Sequence, residues 1–252
     1  MTQRALITGA GRGIGRAIAL RLAADAATVI CSGRDLAALE ETAEMVAAAG
    51  GEAVVLPLDL RDEASVAALA RNCGPIDMLV ANSGVAGPRG PVWELDPEEW
   101  DATLRVNLTG GFLLTRAVMP DMLERGSGSV VFIGSTTAMR PMPGRIAYAA
   151  SKSALVGFVR TLAVDAGPFG VRVNLVSPGP TAGDRLDAVL DGAAVARGST
   201  SERMLSEFLA ASPLRRLTES EDVANAVAFL VSDGSQGITG AELTVSSGSV
   251  MS

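Results

Sequence analysis

Short apolar, largely β-branched runs alternate with longer amphipathic stretches along most of this chain, and that rhythm leaves few architectures open. Residues 5–8, 28–31, 53–56, 77–80, 129–133, 171–176 and 242–245 read as strands. Residues 14–24, 36–49, about 63–71, about 96–123 and 147–166 read as helices between them. The strands are too continuously apolar to leave one face in water, so they belong to a parallel sheet covered on both sides. The expected fold is α/β: one doubly wound, seven-stranded parallel sheet with helices on both faces. No Pro/Gly/Ser linker divides the 252 residues, which predicts a single domain over 1–252. The one break in rhythm is the Ala-rich stretch 179–213 after the sixth strand. It falls where ligands enter such a sheet, and is expected to be a mobile segment that covers substrate; a peripheral helical hairpin is the alternative.

The first strand runs into Thr8-Gly9-Ala10-Gly11-Arg12-Gly13-Ile14-Gly15 and then directly into a helix. Glycines at a strand-to-helix turn let backbone N–H groups and the helix N-terminus approach a pyrophosphate. Ile14 stands where the commoner G-x-G-x-x-G spacing would need its last glycine, so the pattern is T-G-x-x-x-G-x-G. A Gly-rich turn alone is weak, but at the first βα junction of a doubly wound sheet it predicts a dinucleotide site.

The only tyrosine and the only lysine lie four residues apart, Tyr148 and Lys152, in a chain whose 20 other basic residues are arginine. On a helix that spacing puts phenol and ammonium on one face. A free phenol holds its proton to about pH 10. A cation about 4 Å away favours the phenolate by about 4 kcal/mol at an effective dielectric of 20, which makes the pair suited to proton transfer near neutrality. The chain contains no histidine, which excludes Ser-His-Asp and Cys-His catalysis and leaves few ligands for zinc. Cys31 and Cys73 lack metal-ligand spacing and read as buried thiols of a reducing cytoplasm. A net charge of −7 without a basic run argues against nucleic acid. With neither a long apolar stretch nor a leader pattern ahead of the first strand, a cytoplasmic protein without membrane contact is expected.

Together these motifs resemble the short-chain dehydrogenase/reductase family, with its Rossmann-type cofactor fold, over nearly the whole chain. Ser135, 13 residues before Tyr148, has the family spacing of the catalytic serine, and Asn107 stands where the family has its catalytic asparagine. The resemblance implies that Tyr148 is the acid in reduction and the base in oxidation. It implies that Lys152 also holds the nicotinamide ribose, that Ser135 steadies the substrate oxygen, and that the Asn107 region anchors a proton-relaying water. It further implies cofactor contacts from Gly9, Gly11, Arg12, Gly13, Ile14 and Gly15; from Asp59 and Leu60 beside the adenine; from Asn82, Ser83 and Gly84; and from Pro178, Gly179 and Thr181. Ala81 and Ser83 depart from the family's N-N-A-G, and Val245-Ser246-Ser247-Gly248 from its V-D-G-G. A homotetramer or dimer built through residues 96–123 and 147–166 is implied as well.

The second strand ends Ser32-Gly33-Arg34, with Gly33 where NAD binders of this kind carry a ribose-binding acid. Two guanidinium groups, Arg12 and Arg34, and no carboxylate at that position suit a 2′-phosphate, so NADP is expected. Asp35 is either the cap of the next helix or the ribose acid of an NAD enzyme. The predicted activity is NADP-dependent interconversion of a carbonyl and an alcohol, as in a ketone or 3-oxoacyl-thioester reductase. NAD-dependent alcohol or sugar dehydrogenation and a non-catalytic NADP-binding role are the alternatives. Residues 139–145 and 85–89 should rim the substrate pocket. Arg140 and Arg145 are candidates to meet an anionic substrate, or else solvated surface residues.

Overall fold

In the computed structural model, residues 3–25 and 27–251 are described. The strands are β1 (Arg4–Thr8), β2 (Thr28–Gly33), β3 (Glu52–Pro57), β4 (Met78–Ala81), β5 (Gly128–Ile133), β6 (Val171–Pro178) and β7 (Glu242–Val245). All pair in parallel, in the order β3-β2-β1-β4-β5-β6-β7. The order reverses between β1 and β4, and the crevice this opens at the carboxyl ends is where such sheets bind ligands. The expected seven-stranded doubly wound sheet is borne out.

Successive residues of each strand feed opposite faces. Ile7, Val80 and Val131 pack under α1 (Gly13–Ala24), α2 (Leu36–Ala48) and α9 (Ser220–Val231), against Ile18, Leu39 and Val227. Leu6, Leu79 and Val130 point the other way. They meet α3 (Glu63–Asn72), α5 (Gly110–Arg125) and α6 (Ile146–Ala166) through Leu69, Leu114 and Leu155. With both faces covered, an alternation of apolar and polar residues would bury polar groups, which is why these strands read as unbroken apolar runs.

The helix expected over 96–123 begins as its sequence dictates. Asp96 accepts the Glu98 N–H at 2.8 Å and Pro97 opens α4 (Pro97–Leu104). It is not one regular helix, however. A π turn over Arg105–Thr109 separates α4 from α5 and carries Asn107. Periodicity does not register one inserted residue, and π turns of this kind concentrate at functional sites.

The stretch 179–213 folds into α7 (Asp184–Arg197) and α8 (Ser201–Ala211), which close on a small cluster of their own, Leu186, Leu190, Ala194 and Met204. It is thus a helical hairpin, but not a peripheral one. Leu186, Val189 and Phe208 line the main cavity, and Arg89, in the loop after β4, donates to the Ala188 carbonyl. None of the helices in the described residues is long and apolar enough to cross a membrane.

Candidate active site

One cavity of about 720 Å³ runs along the carboxyl ends of the strands. Its floor at one end is the glycine loop. Gly9 and Gly13 have positive φ, and a Cβ on Gly15 would lie 2.1 Å from the Gly9 carbonyl oxygen and 2.7 Å from Asn82 Nδ2. The turn therefore requires glycine at position 15, and it keeps the loop flat against the start of α1. Behind the loop, Arg16 donates to the Gly11 carbonyl and pairs with Glu41, while Thr42 donates to the Ala10 carbonyl. Asn82 donates to the Thr8 carbonyl at 2.8 Å, and Thr8 Oγ1 accepts the N–H groups of Asn82 and Ser83. Asn82 thus welds the end of β4 to the end of β1. An elongated cavity floored by side-chain-free backbone at a helix N-terminus fits a dinucleotide pyrophosphate.

The end of the cavity where the sequence places adenosine is lined by Gly33, Arg34, Asp35, Asp59 and Leu60, together with Arg12 and Arg61. Asp35 accepts the Ala38 N–H, capping α2, and its other oxygen lies 3.7 Å from Arg12. Asp59 is gripped by Arg61 through both carboxylate oxygens. Those hydrogen bonds, aided by a backbone N–H and the charges of Arg61 and Arg34, hold its carboxyl down to about 2. Arg61 was not singled out by the sequence, although its place two residues after Asp59 was readable.

At the opposite end stand Ser135, Tyr148 and Lys152, all buried and all lining the same cavity. Ser135 follows β5 and caps a short 3₁₀ turn, accepting the Thr137 N–H at 3.1 Å and donating to Thr137 Oγ1 at 3.1 Å. Tyr148 and Lys152 lie one turn apart on α6. Lys152 Nζ donates to the Ile133 carbonyl at 2.7 Å and sits 5.9 Å from the centre of the Tyr148 ring. Pro178, Gly179 and Thr181 line the wall after β6, where Thr181 Oγ1 donates to the Gly179 carbonyl.

Asn107 is the one predicted site residue that does not line this cavity. It stands behind the wall, buried, with Nδ2 donating to the Val85 carbonyl and to Ser151 Oγ, both at 3.0 Å. Its Oδ1 accepts the Val85 N–H at 2.7 Å. Ser151 in turn donates to the Tyr148 carbonyl. The asparagine side chain is therefore a clamp between the loop after β4 and α6, with Nδ2 and Oδ1 both engaged.

The two rim loops meet where Gly90 donates to the Gly144 carbonyl, and Val85, Ala86 and Met142 line the cavity as expected. The two candidate arginines part company. Arg140 turns outward to the Ser249 carbonyl. Arg145 is not a solvated surface residue: it is buried, lines the cavity, and lies over the Tyr148 ring.

A doubly wound parallel sheet, a glycine cradle at its switch point, and a serine, tyrosine and lysine around the far end of one cavity define a nicotinamide-dependent alcohol/carbonyl oxidoreductase. Over residues 9–249 the sequence matches the family described as enoyl-(acyl carrier protein) reductase. It is 39% identical over 255 residues to 2,3-dihydro-2,3-dihydroxybenzoate dehydrogenase of Bacillus subtilis, covering 98% of this chain and 95% of that one. Among solved structures it resembles an actinorhodin polyketide ketoreductase with NADPH (TM-score 0.92, 34% identity, 98% and 97% of the two chains). It also resembles an NAD+-bound xylitol dehydrogenase (TM-score 0.91, 30% identity, 97% and 98%). The chain belongs to the short-chain dehydrogenase/reductase family and is an NAD(P)-dependent oxidoreductase of that family, acting on an alcohol/ketone pair.

Proposed function

We propose that the protein is an NADP(H)-dependent dehydrogenase/reductase whose proton donor and acceptor is Tyr148. The observation that carries this is the convergence of Ser135, Tyr148 and Lys152 on the cavity that the glycine loop floors. When bound, the nicotinamide supplies or accepts the hydride. Tyr148 gives its proton to the substrate oxygen during reduction and takes it back during oxidation. Lys152, fixed by the Ile133 carbonyl, puts a positive charge 5.9 Å from the centre of the Tyr148 ring, beside the group that handles the proton. The Thr137 N–H fixes Ser135 Oγ, whose own proton can pass from Thr137 Oγ1 to a substrate oxygen. Asn107 acts from behind, holding Val85 and Ser151, and a proton-relaying water in this region would rest on backbone carbonyls of the π turn.

The preference for NADP rests on Gly33. A Cβ there would meet nothing closer than 3.8 Å, so packing does not demand glycine, and the space is open to a 2′-phosphate between the exposed Arg12 and Arg34. Asp35 supports the NAD alternative less well, because it is already engaged with Ala38 and Arg12.

One domain with a cofactor half over about 1–135 and a catalytic, substrate-covering part over about 136–252 fits this division of labour. Two buried free thiols, Cys31 and Cys73, fit a cytoplasmic setting. A dimer or tetramer through α4–α5 and α6 is supported by Phe112 and Val164, apolar and exposed on those helices. The named substrates of the relatives, a dihydroxybenzoate derivative, xylitol and a polyketide ketone, span the range open to this chain.

The test is oxidation of NADPH and NADH against acyl-thioester, sugar, cyclic-ketone and aromatic-ketone substrates. Tyr148→Phe is expected to lower turnover by about 10²–10⁴-fold while still binding dinucleotide. Unchanged turnover in that variant would overturn the reading.

A further inference from the structure

The α7–α8 hairpin lines the cavity, yet it packs chiefly on its own small core rather than on the sheet. One side chain of the loop after β4 reaches across to it. Arg89, exposed in that loop, donates through Nη2 to the Ala188 carbonyl at 3.4 Å. In a helix that carbonyl already accepts the N–H four residues on, from Gly192, and a side chain at that position would cover it. A Cβ on Gly192 would lie 2.5 Å from Arg89 Nη1 and 2.8 Å from its Cζ. The guanidinium thus rests in the notch that the missing side chain leaves. Gly192 lies inside α7, where glycine is the least favourable residue apart from proline. Unlike Gly183 and Gly198 at the helix ends, it has no positive φ that would require it. What its absent Cβ provides is room for Arg89.

The loop that carries Arg89 is the fixed partner of this contact. Asn107 holds Val85 at both its N–H and its carbonyl. Gly87 lies so close to Thr103 that a Cβ would be 2.8 Å from its hydroxyl, and Gly90 donates to the Gly144 carbonyl at 3.2 Å. Both sides of the contact also line the cavity, with Val85 and Ala86 from the loop and Leu186 and Val189 from α7. Through Asn107 and Gly144 the loop is tied to α6 and to the turn that enters it, the elements that present Tyr148. The glycine loop lies at the other end of the same cavity.

Resting on the alcohol/carbonyl reading, we infer that Arg89 is a positioning residue for the substrate. Seated in the Gly192 notch, it latches α7 to the fixed loop and sets the separation of the two walls, Val85 and Ala86 on one side and Leu186 and Val189 on the other. It acts through those walls, on substrate affinity rather than on the hydride or proton step.

The test combines backbone hydrogen exchange of the protein alone with steady-state kinetics on the best-reduced carbonyl of the panel above. In Arg89→Ala the amides of residues 184–211 are expected to exchange about 2- to 10-fold faster, the loss of one exposed hydrogen bond, while those of α6 stay unchanged. KM for the carbonyl should rise by about the same factor, with kcat and the dinucleotide KM moving by less than about twofold. Arg89→Lys should recover part of both effects. Gly192→Ala is the sharper variant. Its Cβ displaces the movable end of Arg89 and improves the helix, so the protein should unfold about 1–4 °C higher. It should nevertheless show the raised KM of Arg89→Ala, with no further rise in the double variant. A gain in stability with a loss in affinity separates positioning of substrate from support of the fold. Unchanged exchange in Arg89→Ala, or an unchanged KM in Gly192→Ala, would overturn the inference. Faster exchange in Arg89→Ala with no turnover of any carbonyl by the wild type would sink the oxidoreductase reading and keep the latch. Normal turnover with unchanged exchange would do the reverse.

Discussion

Replacing Gly33 by Asp should invert the cofactor preference, and its size can be estimated from the site. A Cβ at this position is 3.8 Å from its nearest neighbours, Gly9 and Leu39, so the substitution is tolerated by packing. Gly33 also keeps its carbonyl bond to the Leu58 N–H, which involves no side chain. The new carboxylate would stand at the end of β2, in the space otherwise open to a 2′-phosphate. At about 5 Å from a phosphate carrying close to two charges, and at an effective dielectric of about 50, the repulsion costs about 2–3 kcal/mol. With NADH the same carboxylate gains hydrogen bonds from the ribose hydroxyls, worth about 1.5–3 kcal/mol for a charged acceptor. Together these move the ratio of kcat/KM for NADPH over NADH by roughly three orders of magnitude. The assay is steady-state kinetics with each cofactor at fixed carbonyl substrate, with thermal unfolding as the control for an intact fold. A variant that unfolds like the wild type and keeps its preference for NADPH would refute the assignment of Gly33 as the selector. A wild type that prefers NADH would refute it before any mutation is made.

Ser151→Ala removes the acceptor of one Asn107 Nδ2 proton in a fully buried position, which should cost about 1–3 kcal/mol. For a chain of this length that lowers Tm by roughly 2–10 °C, and KM should rise because the Val85 loop loses its clamp; an unmoved Tm would show that the clamp carries no strain. Burial pushes the Cys31 thiol up to about 11 from 9.0. The unfolded chain therefore releases this proton first, and the stability that Cys31 contributes is complete below about pH 9 and is lost between about pH 9 and 11. Denaturant midpoints at pH 8 and 10.5 should fall further in the wild type than in Cys31→Ala, and equal falls would refute the shift.

The sheet was legible because burial on two faces writes itself as unbroken apolar runs, and the helix starts because Asp35, Asp96 and Pro97 are local signals. The glycine cradle and the Tyr148–Lys152 pair were legible for a related reason: backbone approach to a phosphate and an i,i+4 pairing are short-range requirements. Arg61 was missed although it sits two residues from Asp59, because an aspartate read as an adenine contact gave no reason to look for its ion pair. The α7–α8 hairpin was foreseen as a break in rhythm. Its place over the cavity was expected as well, but the side chains that face it were not named, since Leu186 and Phe208 read equally as residues of a private core.

Asn107 and Arg145 show where local reading stops. Both were singled out, and both proved to have a character that depends on partners far along the chain. Asn107 looked like a group that would address a water, yet its polar atoms are taken by Val85 and Ser151, 22 and 44 residues away. A π turn, invisible to a count of apolar spacing, sets it there. Arg145 read as surface because arginine in a loop usually is, yet the pairing of its loop with Gly90 draws it under cover beside Tyr148. The cost of burying a guanidinium is large enough that a fold does not incur it by default. The same local spacing that makes the Ser135, Tyr148 and Lys152 set readable says nothing about what the substrate half of the cavity recognises. That information is held in the meeting of two loops distant in sequence, through Gly90, Gly144 and Arg145.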